Sequence, residues 1–128
     1  MRLNSVAIII CFLLSFSSEL VYSQTRIDSL RIKLNELSNT SPTLNDKIDL
    51  AVDGVSIGEF LRGIGSSYKL NINVDPNLNA IIYNNFNNLS VKDLLVFVCD
   101  NYKLDIKFFG PIMSFIPYVE PQKKMIAP

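Results

Sequence analysis

The chain has 128 residues, and its 12 Lys and Arg balance 12 Asp and Glu, so it lacks the basic excess of a nucleic-acid binder. It contains neither His nor Trp, which excludes His-based catalysis and the usual His-containing metal sites. Apolar residues at 48%, with 5 Gly and 6 Pro, argue for one small folded domain rather than a disordered chain.

Residues 1–23 read as a cleaved signal peptide. Arg2 precedes an apolar run from Val6 to Leu14, and Val21 and Ser23 stand three and one before a cut that makes Gln24 the mature start. The run falls well short of the ~20 apolar residues that span a bilayer, and Glu19 interrupts its extension. Ile10, not a small residue, precedes Cys11, which argues against a lipoprotein. The expectation is an exported chain. After cleavage Cys99 has no cysteine to pair with, so no internal disulfide staples the fold. It lies in the apolar run Leu94 to Cys99 and reads as a buried, inert thiol.

Residues 25–37 read as a short helix. Ile27, Leu30, Leu34 and Leu37 form a two-heptad seam, with Arg26, Asp28, Arg31, Lys33 and Glu36 off it. The seam either docks on the chain's own domain or drives self-association. Docking is favoured, because a sustained coiled coil needs three or four heptads. Ser38 to Asp46 is rich in Ser, Thr, Asn and Pro and reads as a linker. Ile48, Leu50 and Val52 then alternate with Asp49, Ala51 and Asp53, as in a half-buried strand. Ser56 and Glu59 form a capping box, with Val55 and Phe60 at the staple positions. Ile57, Phe60, Leu61 and Ile64 make one apolar helix face, and Gly65-Ser66-Ser67 reads as its end. Leu70, Ile72 and Val74 alternate as a second strand.

The same unit recurs 34 residues on, from Ser56 to Ser90. Leu89-Ser90-Val91-Lys92-Asp93-Leu94 repeats the cap and staple, and Tyr102-Lys103-Leu104-Asp105-Ile106 repeats Tyr68-Lys69-Leu70-Asn71-Ile72. Val52 maps onto Phe86. The second helix is apolar nearly all round, so it is expected to be covered on more than one side, between sheets. Gly110-Pro111 turns the chain, and Ile112 to Tyr118 reads as a last strand paired back as a hairpin. Residues 119–128, with Pro121, Pro128 and Lys123-Lys124, read as a tail. The expected fold is α+β: two strand–helix–strand units with two helices between small sheets, a C-terminal hairpin and an extra N-terminal helix. The expected organisation is a leader (1–23), a helix and linker (24–46), a domain (47–118) and a tail (119–128).

Lys47 to Tyr118 resembles the secretin and TonB short N-terminal domain. The residues that carry the likeness are Leu61, Leu70, Ile72, Val74, Asp75, Pro76, Leu78, Leu89, Ser90, Leu94, Leu95, Leu104 and Ile106. The resemblance implies two helices between two small sheets and a place outside the inner membrane of a double-membraned bacterium. In secretins such a domain projects into the periplasm and meets inner-membrane secretion components, in a ring of copies. In TonB-dependent transducers it contacts an anti-sigma regulator. The sequence carries no pore and no barrel, so it reads as the front end of a longer protein or as a free-standing adaptor.

No catalytic or cofactor site is expected. Asp75, Asn77 and Asn79 match the first ligand positions of a calcium loop, but Ala80 and Phe86 stand where it needs Gly and Glu. Asp75-Pro76-Asn77 reads as a turn. Asp49 with Asp53, and Asp100 with Asp105, have no nucleophile or phosphate loop beside them and read as solvated charges. Asn84, Asn85, Asn87 and Asn88 surround Phe86 and are candidate partner contacts on a recognition edge. The repeat assigns Phe86 itself to the core. The last strand is a second candidate edge, blunted by Pro117.

Overall fold

The structure, a computed structural model, describes residues 9–10 and 24–120; the predicted leader cut and the residues beyond Glu120 lie outside the described residues. Helix α1 covers residues 24–38 and is followed by a 3-10 turn, Pro42–Asn45. Then come β1 (Lys47–Ser56), α2 (Ile57–Tyr68), β2 (Asn71–Val74), β3 (Ile81–Ser90), α3 (Val91–Asn101), β4 (Leu104–Phe109) and β5 (Ile112–Pro117). Antiparallel β1 and β3 form a two-stranded ribbon, and β2, β5 and β4 form a second sheet with β5 in the middle. Helices α2 and α3 pack between them, as the repeated pattern predicts.

The repeat is a structural one. Ser56 Oγ accepts the Glu59 N–H at 3.3 Å, and Ser90 Oγ accepts the Asp93 N–H at 3.2 Å. Each hydroxyl satisfies one of the open N–H groups at its helix start. The left-handed residues repeat as well. Gly54 (φ 75°) matches Asn88 (φ 50°), and Lys69 (φ 53°) matches Lys103 (φ 56°), each pair 34 positions apart (88 − 54 and 103 − 69). Leu50 pairs with Phe86 and Val52 with Asn84, two pairings that the same 34-residue shift exchanges. The ribbon is therefore built around a pseudo-twofold axis.

Two bulges interrupt it, one opposite Asp49 and one at Gly54. Both use a left-handed residue, which Gly and Asn adopt at least cost. At the first, the Asp49 carboxylate accepts the Asn88 N–H at 2.8 Å. Burial follows the predicted alternation of β1 only in part: Ile48 and Val52 are buried, but Leu50 is 38% exposed.

The segment expected to be a linker is fastened at both ends. Leu44 is fully buried. Thr43 Oγ1 donates to the Tyr68 carbonyl at 2.7 Å, and the Asp46 carbonyl accepts the Val91 N–H at 2.9 Å. Its Ser, Thr and Pro residues serve helix ends and turns, which composition alone does not separate from linker chemistry. The boundary expected at residue 47 is consequently not a boundary of the core.

Gly65 does not end α2, which runs on to Tyr68. Its role is close approach: a Cβ there would meet the Ile72 Cβ and the Leu70 carbonyl oxygen at 3.2 Å. Gly63 has open space where its Cβ would stand. The two glycines should therefore respond oppositely. Gly63→Ala should raise stability by about 0.5–1 kcal/mol through helix propensity, and Gly65→Val should lower it by about 1–3 kcal/mol through overpacking. Urea melts of the two variants check this.

The core is drawn from every layer. Ile57, Leu61, Leu94, Leu95 and Val98 come from the two central helices, Ile82 from the ribbon, and Met113 and Phe115 from β5. β5, expected as an edge, is the central strand of its sheet, parallel to β2 and antiparallel to β4. Gly110 (φ 55°) opens the two-residue turn that joins β4 to β5, a position where glycine suits a hairpin.

Candidate protein-interaction surface

The ribbon presents its outer face through the alternation of β3. Ile82 and Phe86 point inward and are buried, while Ile81, Tyr83 and Asn85 are exposed. Phe86 stacks on Phe60 with ring centroids 6.1 Å apart and meets the edge of Phe97 at 5.7 Å. It is a core anchor. Of the four amides singled out in the sequence, Asn85, Asn87 and Asn88 are exposed and Asn84 is half-buried. Asn88 also has a structural task, since its left-handed backbone forms the bulge held by Asp49.

Tyr83 is the residue that sequence reasoning missed. It is 64% exposed on the outer face. Its ring lies over Gly54, 3.5 Å from where a Cβ would stand. An exposed aromatic with a polar tip suits a protein contact better than a core. The available signal was its place one residue after the inward Ile82. With Ile81 and the exposed amides it forms a mixed apolar and polar face beside the free edges of the ribbon, the kind of surface that strand addition uses.

The self-association seam has a different fate. Ile27, Leu30 and Leu34 are buried in this chain's own core, and Leu37 is partly buried against it. A side chain already covered by its own domain cannot also serve a second copy. The seam docks, and the self-association reading of Ile27, Leu30, Leu34 and Leu37 is corrected on that ground. Arg26 helps hold the helix: its Nη1 donates to the Leu104 carbonyl at 2.6 Å, and its guanidinium lies 4.0 Å from the centre of the Tyr118 ring.

Cys99 is fully buried. Burial pushes its thiol up from 9.0 to about 12, with Arg26 opposing and Asp105 and Asp100 adding to the rise. The sign follows from linkage. Below pH 9 the thiol is protonated in both states and its contribution is intact; as pH rises from 9 toward about 12, the unfolded chain releases the proton first and stability falls. A thiol reagent at pH 8 should therefore leave Cys99 unlabelled in the native protein and label it in denaturant, because the thiolate is the reacting form. Fast labelling of Cys99 in the folded protein would contradict this placement.

The Asp75 loop is a turn, in which the Asp75 carboxylate accepts the Asn77 N–H at 2.8 Å. Among the described residues, no group of three or more His, Cys, Asp or Glu is placed to hold a metal ion. No helix among them is long and apolar enough to cross a membrane.

No family model matches the chain. No curated protein matches it either. Among solved structures, it is similar to the crystal structure of a putative anti-sigma factor from Parabacteroides distasonis ATCC 8503, with a TM-score of 0.50 and 16% identity. The match covers 62% of this chain and 38% of that one, so the chain spans well under half the length of its neighbour. At that identity the likeness is one of fold.

Proposed function

We propose that this chain is an exported protein-interaction domain of the secretin and TonB short N-terminal type, standing at the periplasmic front of a secretin-like secretion component. The observation that carries the reading is the sheet arrangement. Two helices lie between a two-stranded ribbon and a three-stranded sheet, which is what the resemblance implies. The exposed Tyr83 and its neighbouring amides supply a contact surface without catalytic chemistry. In this reading the partners are inner-membrane secretion components, and copies of the domain stand side by side in a ring.

A second reading makes the domain the signalling module of a TonB-dependent receptor. Its support is the fold likeness to a putative anti-sigma factor, which fits a regulatory or signalling role. A free-standing periplasmic adaptor is the third. Photo-crosslinking from Asn85 in living cells separates them. An inner-membrane secretion protein as the crosslinked product supports the first reading. An anti-sigma regulator would replace it with the second, and a cytoplasmic partner would overturn all three.

A further inference from the structure

A groove of about 540 Å3 runs between α1 and β4. Arg26 and Lys33 stand on the helix wall, and four successive residues of β4, 105–108, form the other. Side chains of a strand alternate between its faces, so four in a row line a groove only when it follows the backbone edge. β4 is an edge strand of its sheet.

The register shows which backbone groups face that edge. Phe109 pairs with Ile112 across the two-residue turn, so it is a hydrogen-bonded pair. Alternation along the ladder then turns the backbone groups of Leu104, Ile106 and Phe108 away from β5. Two contacts agree. The Leu104 carbonyl accepts from Arg26, and the Ile106 N–H donates to Asp105 Oδ1 at 2.9 Å. The Ile106 carbonyl and both backbone groups of Phe108 remain directed at the groove.

The charge there is one-sided. Arg26, Lys33 and Lys107 line the groove against Asp105 alone. Lys33 lies 5.5 Å from the centre of the Phe108 ring. The Arg26 Nε–H is buried without an acceptor.

We propose that this groove takes an extended acidic segment of a partner protein, added as a further strand outside β4. Its backbone would pair with Ile106 and Phe108, and its carboxylates would meet Arg26, Lys33 and Lys107. Residues 121–128 carry Lys123 and Lys124 and no acidic side chain, the wrong sign for this site. A second copy pairing through β4 would bring like charges together. The proposal concerns a different surface from the ribbon and stands independently of the secretin reading.

The test is an NMR titration of the isotope-labelled protein with a short peptide alternating Asp or Glu with Val or Ile. Shifts should concentrate at residues 105–108 and on α1, and exchange of the Phe108 amide should slow on binding. Lys33 and Lys107 are exposed, so Lys33→Glu with Lys107→Glu should leave the fold intact and weaken binding about tenfold or more, the ~1.4 kcal/mol expected of two lost ion pairs. Asp105→Asn should tighten it, because it removes the one like charge. A peptide with Lys in place of the acids should not bind. Equal binding of that peptide, shifts confined to the β1–β3 ribbon, or no binding at millimolar concentration would each overturn the proposal. So would succinate alone reproducing the shifts, since that would make the groove an anion pocket rather than a strand acceptor.

Discussion

Replacing Leu34 by Asp should abolish cooperative folding of the domain, not change its oligomeric state. Leu34 is fully buried on α1, with Leu30 and Ile27 beside it in the same core. Burying an unpaired carboxylate costs several kcal/mol, on top of the lost apolar burial. Small domains have only about 5–15 kcal/mol of total stability. Leu34→Ala is the graded version and should cost about 2–5 kcal/mol. The opposite outcome is equally readable. If Leu34→Asp left the thermal transition in place and only altered the mass by light scattering, α1 would be an external seam and its docking would be wrong.

The second large effect is at Phe115. It is fully buried on β5, between β2 and β4, where Val74 and Ile106 are its register partners. Truncation there opens a cavity against both neighbouring strands and the helices above them. Phe115→Ala should lower stability by about 3–5 kcal/mol. The exposed Phe109, at the other end of the hairpin, is 80% accessible, and Phe109→Ala should change stability by under about 0.5 kcal/mol. Chemical denaturation of the pair tests whether β5 is central. Similar small losses at both sites would mean that it is not.

What the sequence carried was mostly local. The caps at Ser56 and Ser90 each lie within four residues, and in both the serine hydroxyl accepts the N–H three residues on. The repeat was legible because the same residue types recur in order. The burial of α3 on several sides followed from its unbroken apolar run, Leu94 to Cys99. The misreadings involve partners outside the element concerned. The stretch around Leu44 looked like a linker because Tyr68 and Val91, which bond to Thr43 and Asp46, come later in the chain. Gly65 looked like a helix end, but it is small because Ile72 and Leu70 lie against it. β5 looked like an edge because only its hairpin partner β4 is adjacent in sequence, whereas β2 reaches it across a long crossover.

The candidate surfaces divide the same way. The amides of β3 were visible as a cluster, and three of them are exposed as a contact role requires. Tyr83 and the groove beside β4 were not. One depends on which face an outward residue takes in a bulged ribbon, the other on α1 lying along β4.

We propose that the domain works outside the cytoplasm as the front of a secretin-like assembly. The most direct measurement is fractionation of native cells, with an antibody against residues 47–118 and sequencing of the product's N-terminus. The expected product begins at Gln24 and sediments with the outer membrane as a heat-resistant multimer. A cytoplasmic product that retains residues 1–23 would contradict it.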